Sequence, residues 1–342
     1  MLFKKNTGLG KTKFNLFIFL FLIVPFFVYS EQNQEGIYTN IKILDKISSK
    51  NILVKLKNGE AKKHKDLLIK KELKKRAGVF NRLRGHPIAV FGNDIIGINI
   101  ITEGVYEKEH IKDLLLMLKS IGINLNESSA IDVGANIGNH SIQFSKHFEY
   151  VFSFEPNPRT FDLLNANTKQ IDNIKVFNFG CGVKDQTATL SEIYENIGGS
   201  SAVMDIKADN LVEINIKPLD TIFNEITNLK LIKIDVEGME IEVLKGAEKI
   251  ISSFYPVIYF EQHKNEFLEK FIETEVIDWL RAKGFKIYAI RPPKKRNFLL
   301  RRFKTIQNIF FGITEKRQII EYKKLPKGEY SMVYAIHTST LN

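Results

Sequence analysis

Beyond residue 129, short apolar runs rich in β-branched and aromatic residues alternate with longer stretches whose apolar residues fall at three- and four-residue spacing. Residues 130–133, 151–154, 174–179, 231–234, 257–260 and 286–290 predict strands, and residues 140–148, 159–169, 240–251 and 267–283 predict helices. Such alternation predicts an α/β fold, a doubly wound, mostly parallel sheet with ligands at the carboxyl ends of its strands. The gap between 179 and 231 is longer. It holds a flexible polar turn, Asn196-Ile197-Gly198-Gly199-Ser200-Ser201, and then a further strand at 211–216. A last run at 330–337 predicts a strand that closes the sheet. Ahead of this pattern, residues 88–101 alternate apolar runs with Gly92, Asn93, Asp94 and Gly97, which predicts a hairpin with an Asn-Asp turn. Residues 106–118 place Ile111, Leu114, Leu115 and Leu118 on one face of an amphipathic helix.

The amino terminus has a different texture. Lys4, Lys5, Lys11 and Lys13 precede an apolar run over 14–30 that Asn15 and Pro25 interrupt. Its length fits the apolar region of a signal peptide cleaved after Ser30, and it also reaches the minimum of an uncleaved single-pass anchor; a buried helix is the third reading. Lysines flank the run on both sides, at Lys42, Lys46 and Lys50 as well as before it, so the side of the membrane stays open.

The net charge of +11 describes one segment and not the whole protein. Residues 42–84 hold 15 Lys or Arg against 4 Asp or Glu, and the remainder is neutral. Residues 31–86 contain short apolar groups, Ile52-Leu53-Val54 and Leu67-Leu68-Ile69, without a sustained period. They read as a solvated face or as a surface for anionic lipid or an acidic partner. Residues 291–304 carry seven Lys or Arg and no acid, and lead into a face of Phe303, Ile306, Phe310 and Ile313. That face suits packing on the sheet or contact with a membrane surface. At 342 residues, 44% hydrophobic and 26% charged, the chain can bury a sizeable core, which excludes a disordered, collagen-like or polytopic membrane protein. The single cysteine, Cys181, excludes an internal disulfide and reads as a packed strand residue.

Candidate chemistry concentrates at strand ends. Ile131-Asp132-Val133-Gly134-Ala135-Asn136-Ile137-Gly138-Asn139 falls at a strand-to-helix junction. Gly134 and Gly138 admit a tight turn and the approach of a ligand to bare backbone, Asn136 tolerates a positive φ, and the helix that follows offers free N–H groups. The Gly-Lys-Ser or Gly-Lys-Thr ending of a P-loop is missing, and so is the G-x-G-x-x-G of a dinucleotide site. Glu155, 17 residues after Gly138 at the end of the next strand, can accept both hydroxyls of a ribose.

Three blocks in order carry a resemblance. Asp132-Val133-Gly134-Ala135-Asn136-Ile137-Gly138, then Phe154-Glu155-Pro156-Asn157-Pro158, then Ile232-Lys233-Ile234-Asp235-Val236-Glu237-Gly238-Met239-Glu240 with Val243-Leu244-Lys245-Gly246-Ala247, resembles the FkbM family of S-adenosylmethionine-dependent methyltransferases. The resemblance spans 104–290 and includes Tyr106-Glu107 and Gly198-Gly199-Ser200-Ser201. It implies a class I methyltransferase-like (Rossmann-like) fold and methylation of an oxygen, typically a hydroxyl of a sugar, glycan or related polyol. It also implies that Asp132, Gly134, Asn136 and Gly138 surround the methionine end of S-adenosylmethionine and that Glu155 holds its ribose. Phe179-Gly180-Cys181-Gly182 departs from the Ala and Leu expected there, which leaves the adenine contacts open.

Methyl transfer is an in-line displacement at an activated sulfonium, so the protein must align an acceptor oxygen and receive its proton. Asp235 ends the strand at 231–234 with Glu237 and Glu240 just beyond it, and Glu261 and His263 end the next strand. Asp235 or His263 is the expected base, and Glu237 is expected to hold substrate hydroxyls. The same acids can instead bind a divalent cation, or simply open the following helix, where acids are favoured. No residue is assigned as a metal ligand. Lys233 either pairs with one of these acids or reaches the surface by its stem. Neither Asn-Pro-Pro-Tyr nor Asp-Pro-Pro-Tyr follows the strand, which counts against nucleic acid as substrate.

The expected organisation is a signal peptide or signal anchor at 1–30, a lysine-rich extension at 31–87, a methyltransferase domain at 88–290 with its core at 130–290, and a basic amphipathic insertion with the final strand at 291–342. The expected function is S-adenosylmethionine-dependent O-methylation of a glycan or small polyol. The enzyme would be membrane-associated through its anchor, or secreted or luminal after cleavage, where its cofactor would have to be delivered. A nucleic-acid methyltransferase, a nicotinamide oxidoreductase and a non-catalytic binding protein on the same fold are the alternatives.

Overall fold

The computed structural model describes residues 58–192, 210–290 and 318–341. The apolar run at 14–30, the turn at 196–201 and the face formed by Phe303, Ile306, Phe310 and Ile313 lie outside them. Among the described residues no helix is long and apolar enough to cross a membrane. The chain divides into two units, Met1–Val79 with Lys294–Glu315, and Phe80–Pro293 with Lys316–Asn342. Helix α1 (Asn58–Arg84) takes up the described part of the first. Its 27 residues far exceed the strand or short helix that an apolar group such as Leu67-Leu68-Ile69 suggests. Lys, Glu, Leu and Ala are strong helix formers, so propensity rather than an apolar period makes this helix, and Leu67 stays exposed.

In the second unit the predicted hairpin is absent and α2 (Ile95–Glu103) stands in its place. Asp94 opens the helix with an extended backbone, its carbonyl accepting the first helical bond from Ile98 N at 2.9 Å, so the Asn-Asp pair marks a helix start instead of a turn. Helix α3 (Lys108–Ser120) buries Ile111, Leu114, Met117 and Leu118, each worth about 1.5–3 kcal/mol of apolar burial. There follow β1 (Ser129–Val133), α4 (Asn139–Phe144), β2 (Tyr150–Phe154), α5 (Pro158–Thr168), β3 (Ile174–Phe177), β4 (Gly180–Cys181), β5 (Gln186–Glu192), β6 (Asn210–Lys217), β7 (Leu229–Ile234), α6 (Glu240–Gly246), α7 (Glu248–Phe254), β8 (Val257–Gln262), α8 (Glu275–Ala282), β9 (Phe285–Ile290), β10 (Ile319–Tyr322) and β11 (Tyr330–His337).

Eight strands form one sheet in the order β10-β9-β11-β8-β7-β1-β2-β3. The pairs from β3 through β2, β1 and β7 to β8 are parallel, whereas β11 runs antiparallel between β8 and β9, and β10 antiparallel on the outside of β9. The last strand is therefore inserted within the sheet and does not close its edge. Side chains alternate between two cores. Ile131, Val133, Ile232, Ile234, Ile258, Phe260, Val333 and Ala335 pack on α6, α7 and α8, while Ala130, Val151, Leu231, Tyr259, Tyr334 and Ile336 face the core that holds α3 and Phe144. Burial on both faces is why these strands read as continuous apolar runs. This is the doubly wound, class I methyltransferase-like α/β arrangement expected from the sequence.

Some elements differ from expectation. The strand predicted at 174–179 ends at Phe177, and Gly180–Cys181 joins a separate small sheet, β4-β6-β5. The helix predicted at 240–251 is two helices broken at Ala247 (φ −114°, ψ 16°), and Gly246, just before the break, packs so closely that a Cβ there would lie 1.9 Å from the Gly182 carbonyl oxygen. The helix predicted at 267–283 begins only at Glu275. Thr274 caps it by accepting Ile277 N at 3.3 Å, and the Asp278 carboxylate turns back to accept Ile272 N at 2.8 Å.

Candidate active site

The ends of β1, β2, β7 and β8 open on one cleft, where a parallel sheet places its ligands. At the end of β1 the chain turns back over β7. Gly134 has φ +74°, and a Cβ there would lie 1.9 Å from the Asp235 carbonyl oxygen, so neither the turn nor the approach admits a side chain. Asn136 holds φ +51°. The Glu155 carboxylate, just past β2, accepts Asn136 N at 3.0 Å and Asn157 N at 2.9 Å. Burial pushes this carboxyl up to about 7 in spite of those two donors. Asn157 in turn caps α5 by accepting Arg159 N at 3.0 Å, with Pro158 in the first turn.

Of the residues expected to hold the cofactor, Gly134, Asn136 and Glu155 line the cleft, and Asp132 and Gly138 stand behind it. Asp132 is fully buried on the α3 side of the sheet, beside Lys233 in the β1–β7 register. It accepts Ser141 Oγ at 2.6 Å, and Ser141 Oγ also receives Ser153 Oγ at 2.8 Å. Lys233 completes this network. Its Nζ lies 3.2 Å from Asp132 and 3.4 Å from Asp235, and donates to the Gly134 carbonyl at 2.9 Å. Burial alone would lower the lysine's pKa, but the two aspartates outweigh it and raise it. Lys233 thus pairs with two acids and does not reach the surface, and it ties the β1 loop to the β7 loop.

Asp235, Glu237 and Glu261 line the other side of the cleft, and Glu237 has φ +54°. Burial, with the charge of Asp235 next, pushes the Glu261 carboxyl up to about 7; burial also raises Glu237. Glu240 is buried and turned away, accepting Gly238 N at 3.1 Å, so for this acid the helix-opening role is the one observed. His263 does not line the cleft. It sits behind Glu261, with Nε2 at 3.8 Å from that carboxylate and Nδ1 at 2.8 Å from Glu329.

Four cleft or near-cleft groups carried no assigned role in the sequence. Tyr106 and Glu107 reach the cleft from the start of α3, and Glu107 (φ +53°) lies 3.3 Å from His140 and 3.5 Å from His110. Thr160 on α5 lines the cleft with a buried hydroxyl that has no hydrogen-bond partner. Glu329 sits in the loop before β11, where no local pattern marks it. Donor atoms of Glu261, His263 and Glu329 lie within 4.8 Å of one another. Both Glu329 oxygens accept hydrogen bonds, from His263 and from Lys264 N at 3.0 Å, while His263 Nε2 stands 3.8 Å from Glu261, beyond hydrogen-bond reach.

Residues 132–287 match the methyltransferase FkbM domain, a range that includes the ends of β1, β2, β7 and β8 at the cleft. Over those residues, a little under half of its length, the chain is similar to FkbM methyltransferases. It is 34% identical over 136 residues to the hexuronic acid methyltransferase AglP of Haloferax volcanii, covering 37% of this chain and 53% of that one. It is 25% identical over 148 residues to methyltransferase 1 of Beauveria bassiana, covering 36% and 59%. The chain therefore spans little more than half the length of these curated relatives. A solved FkbM methyltransferase from Methylobacillus flagellatus aligns with 79% of this chain and 60% of its own, at 17% identity and a TM-score of 0.37, an overlap too loose to add to the topology described above.

Within the matched residues the three sequence blocks fall on the parts of the fold that need them. The first makes the β1 turn, the second places Glu155, and the third carries Lys233 and Asp235 to the cleft and sets Gly246 against Gly182.

Proposed function

We propose that this chain is an S-adenosylmethionine-dependent O-methyltransferase that acts on a hydroxyl of a sugar or related polyol. One observation carries the reading: a single cleft at the carboxyl ends of the parallel strands joins the Glu155 carboxylate to three further carboxylates, Asp235, Glu237 and Glu261. The residues present fit the cofactor. Each Glu155 oxygen keeps a lone pair after accepting its backbone N–H, enough for two ribose hydroxyls. Thr160, with its buried and unpartnered hydroxyl, borders the same space, and Pro156, Cys181, Ile214 and Met239 give apolar walls for a base.

When bound, S-adenosylmethionine supplies a methyl group on a sulfonium that an oxygen can displace in line. The chain's own task is orientation and proton removal. Gly134 and Asn136 present bare backbone at the β1 turn, and Lys233 holds that turn and Asp235 in fixed relation. Asp235 and Glu237 accept acceptor hydroxyls, and Glu261, with its raised pKa, is the group suited to receive a proton near neutrality. The hexuronic acid specificity of the Haloferax relative supports a sugar as acceptor.

Calorimetric titration of the full chain with S-adenosylmethionine and S-adenosylhomocysteine, with NAD as control, tests the cofactor. Binding of the first two that Glu155→Ala abolishes is the expected result; a folded protein that binds neither would refute the assignment. Methyl α-D-glucopyranoside and methyl α-D-glucuronopyranoside then serve as acceptor probes, read by mass spectrometry of the methylated glycoside. We further read the run at 14–30 as a membrane anchor. Its retention in the membrane pellet after alkaline carbonate extraction is the expected outcome, and release would refute it.

A further inference from the structure

Glu329 lies 66 residues from His263 in sequence yet contacts it at 2.8 Å. The strand conformation of β8 continues through His263 (φ −85°, ψ 148°), so Glu261 and His263, two residues apart, leave the same side of the chain. Glu261 faces the cleft and His263 stands behind it. A carboxylate only accepts hydrogen bonds, so the ring nitrogen facing Glu329 carries the hydrogen, and the neutral ring presents its Nε2 lone pair toward Glu261. Glu329 is itself exposed, but Lys264 N donates to its second oxygen at 3.0 Å and holds it in place.

We propose that Glu329 is a positioning residue, which fixes the tautomer and orientation of His263 so that Glu261 and His263 together carry away the proton of the acceptor hydroxyl. This rests on the O-methyltransferase reading above. In the step, the oxygen–methyl bond forms as the methyl–sulfur bond breaks, and the hydroxyl proton passes to the Glu261 carboxylate. It then moves to His263 Nε2 once the 3.8 Å gap closes to hydrogen-bond distance, and the imidazolium lies against Glu329. The products are the methyl ether, S-adenosylhomocysteine and one proton. The charged groups that act on His263 are Glu329, Glu261 and Glu266, with Glu237 at longer range, and Lys264 acts on Glu329. Sequence patterns offer no route to Glu329, because only the insertion of β11 beside β8 brings its loop to the end of that strand.

The test uses the full chain labelled with 15N-histidine, with His263→Gln to assign that ring among the seven histidines. In the wild type the neutral His263 ring is expected to carry its hydrogen on Nδ1. Glu329→Ala is expected to lose that tautomer and to lower the ring's pKa, whereas Glu329→Gln, a neutral acceptor, keeps the tautomer and lowers the pKa. A wild-type ring protonated on Nε2, or a Glu329→Ala ring unchanged in both respects, would overturn the proposal. With methyl α-D-glucopyranoside as acceptor, kcat of Glu329→Ala should fall roughly 10-fold at unchanged KM for S-adenosylmethionine, with partial recovery in Glu329→Gln; equal rates would also overturn it. If that glycoside is not methylated, the ring signature decides alone. Calorimetry on the same samples separates the two claims. A wild type that binds neither S-adenosylmethionine nor S-adenosylhomocysteine defeats the methyltransferase reading, whereas intact binding with an unaltered ring defeats the positioning role alone.

Discussion

Glu155→Gln is the sharpest single perturbation, because burial and chemistry pull on this side chain in opposite directions. The carboxyl is 8% exposed, and its pKa in the folded protein is pushed up to about 7 from an ordinary 4.5. Between those two values the folded chain holds a proton that the unfolded chain has released, so stability falls as pH rises through this window. At about 1.4 kcal/mol per pH unit, the loss between pH 5 and pH 8 is on the order of 2–3 kcal/mol. Glutamine keeps the shape and cannot ionise, so it removes the pH-dependent part. It also sets an amide NH2 against one of the two backbone donors, Asn136 N or Asn157 N, at a constant cost of about 1–3 kcal/mol. The wild type should therefore be the more stable protein at pH 5, with the gap narrowing by roughly 2–3 kcal/mol at pH 8. Urea unfolding of both proteins at pH 5, 6, 7 and 8, followed by circular dichroism, measures this. A gap that stays constant with pH would refute the reasoning. The functional counterpart is a proton released on binding: ribose hydroxyls donate to the ionised carboxylate, so cofactor affinity should tighten as pH rises through 7, and Glu155→Gln should lose both affinity and its pH dependence.

Lys233→Met strips the buried network of its cation and leaves Asp132 uncompensated in a site with no exposure. Urea titration should show a loss of about 3–5 kcal/mol, and a loss below 1 kcal/mol would mean that the ion pairs do not hold the loops together. Gly246→Ala places a methyl group 1.9 Å from the Gly182 carbonyl oxygen and should cost about 1–3 kcal/mol by the same measurement, whereas Gly122→Ala, in open space but at φ +84°, reports backbone strain without a clash. Cys181 is buried at the cleft, and burial raises its thiol pKa, so iodoacetamide should leave the native chain unmodified at pH 8 and label it fully in 6 M urea; rapid native labelling would contradict the packing.

Local pattern carried far in the central sheet. Strands β1, β2, β7, β8 and β9 lie within two residues of their predicted bounds, since each is a short apolar run flanked by polar turns. Where local pattern failed, a local signal had two readings or the deciding contact lay far away. Asn93-Asp94 suits a turn and a helix start alike, and only the packing of Ile100 into the second unit distinguishes them. The close packing that requires glycine at 246 is against Gly182, more than sixty residues earlier in the chain. Strand β5 carries one large apolar residue, Leu190, and β10 is only four residues long, so neither stands out in the sequence, and both form where their backbones find partners in β6 and β9.

The same division runs through the candidate site. Sequence alone determined which residues stand at strand ends, because a strand followed by a glycine turn or by a Phe-Glu-Pro or Asp-Val-Glu-Gly corner exposes the residue after its last apolar position; Gly134, Asn136, Glu155, Asp235, Glu237 and Glu261 all reach the cleft for that reason. Tertiary structure decided which of these polar residues face the cleft and which face one another. Asp132 turned out to be the anchor for Lys233, because side chains one residue apart on a strand leave opposite faces and its face is covered by α4. His263 acquired its partner Glu329 only when β11 entered the sheet beside β8, a contact between chain segments that no local periodicity encodes.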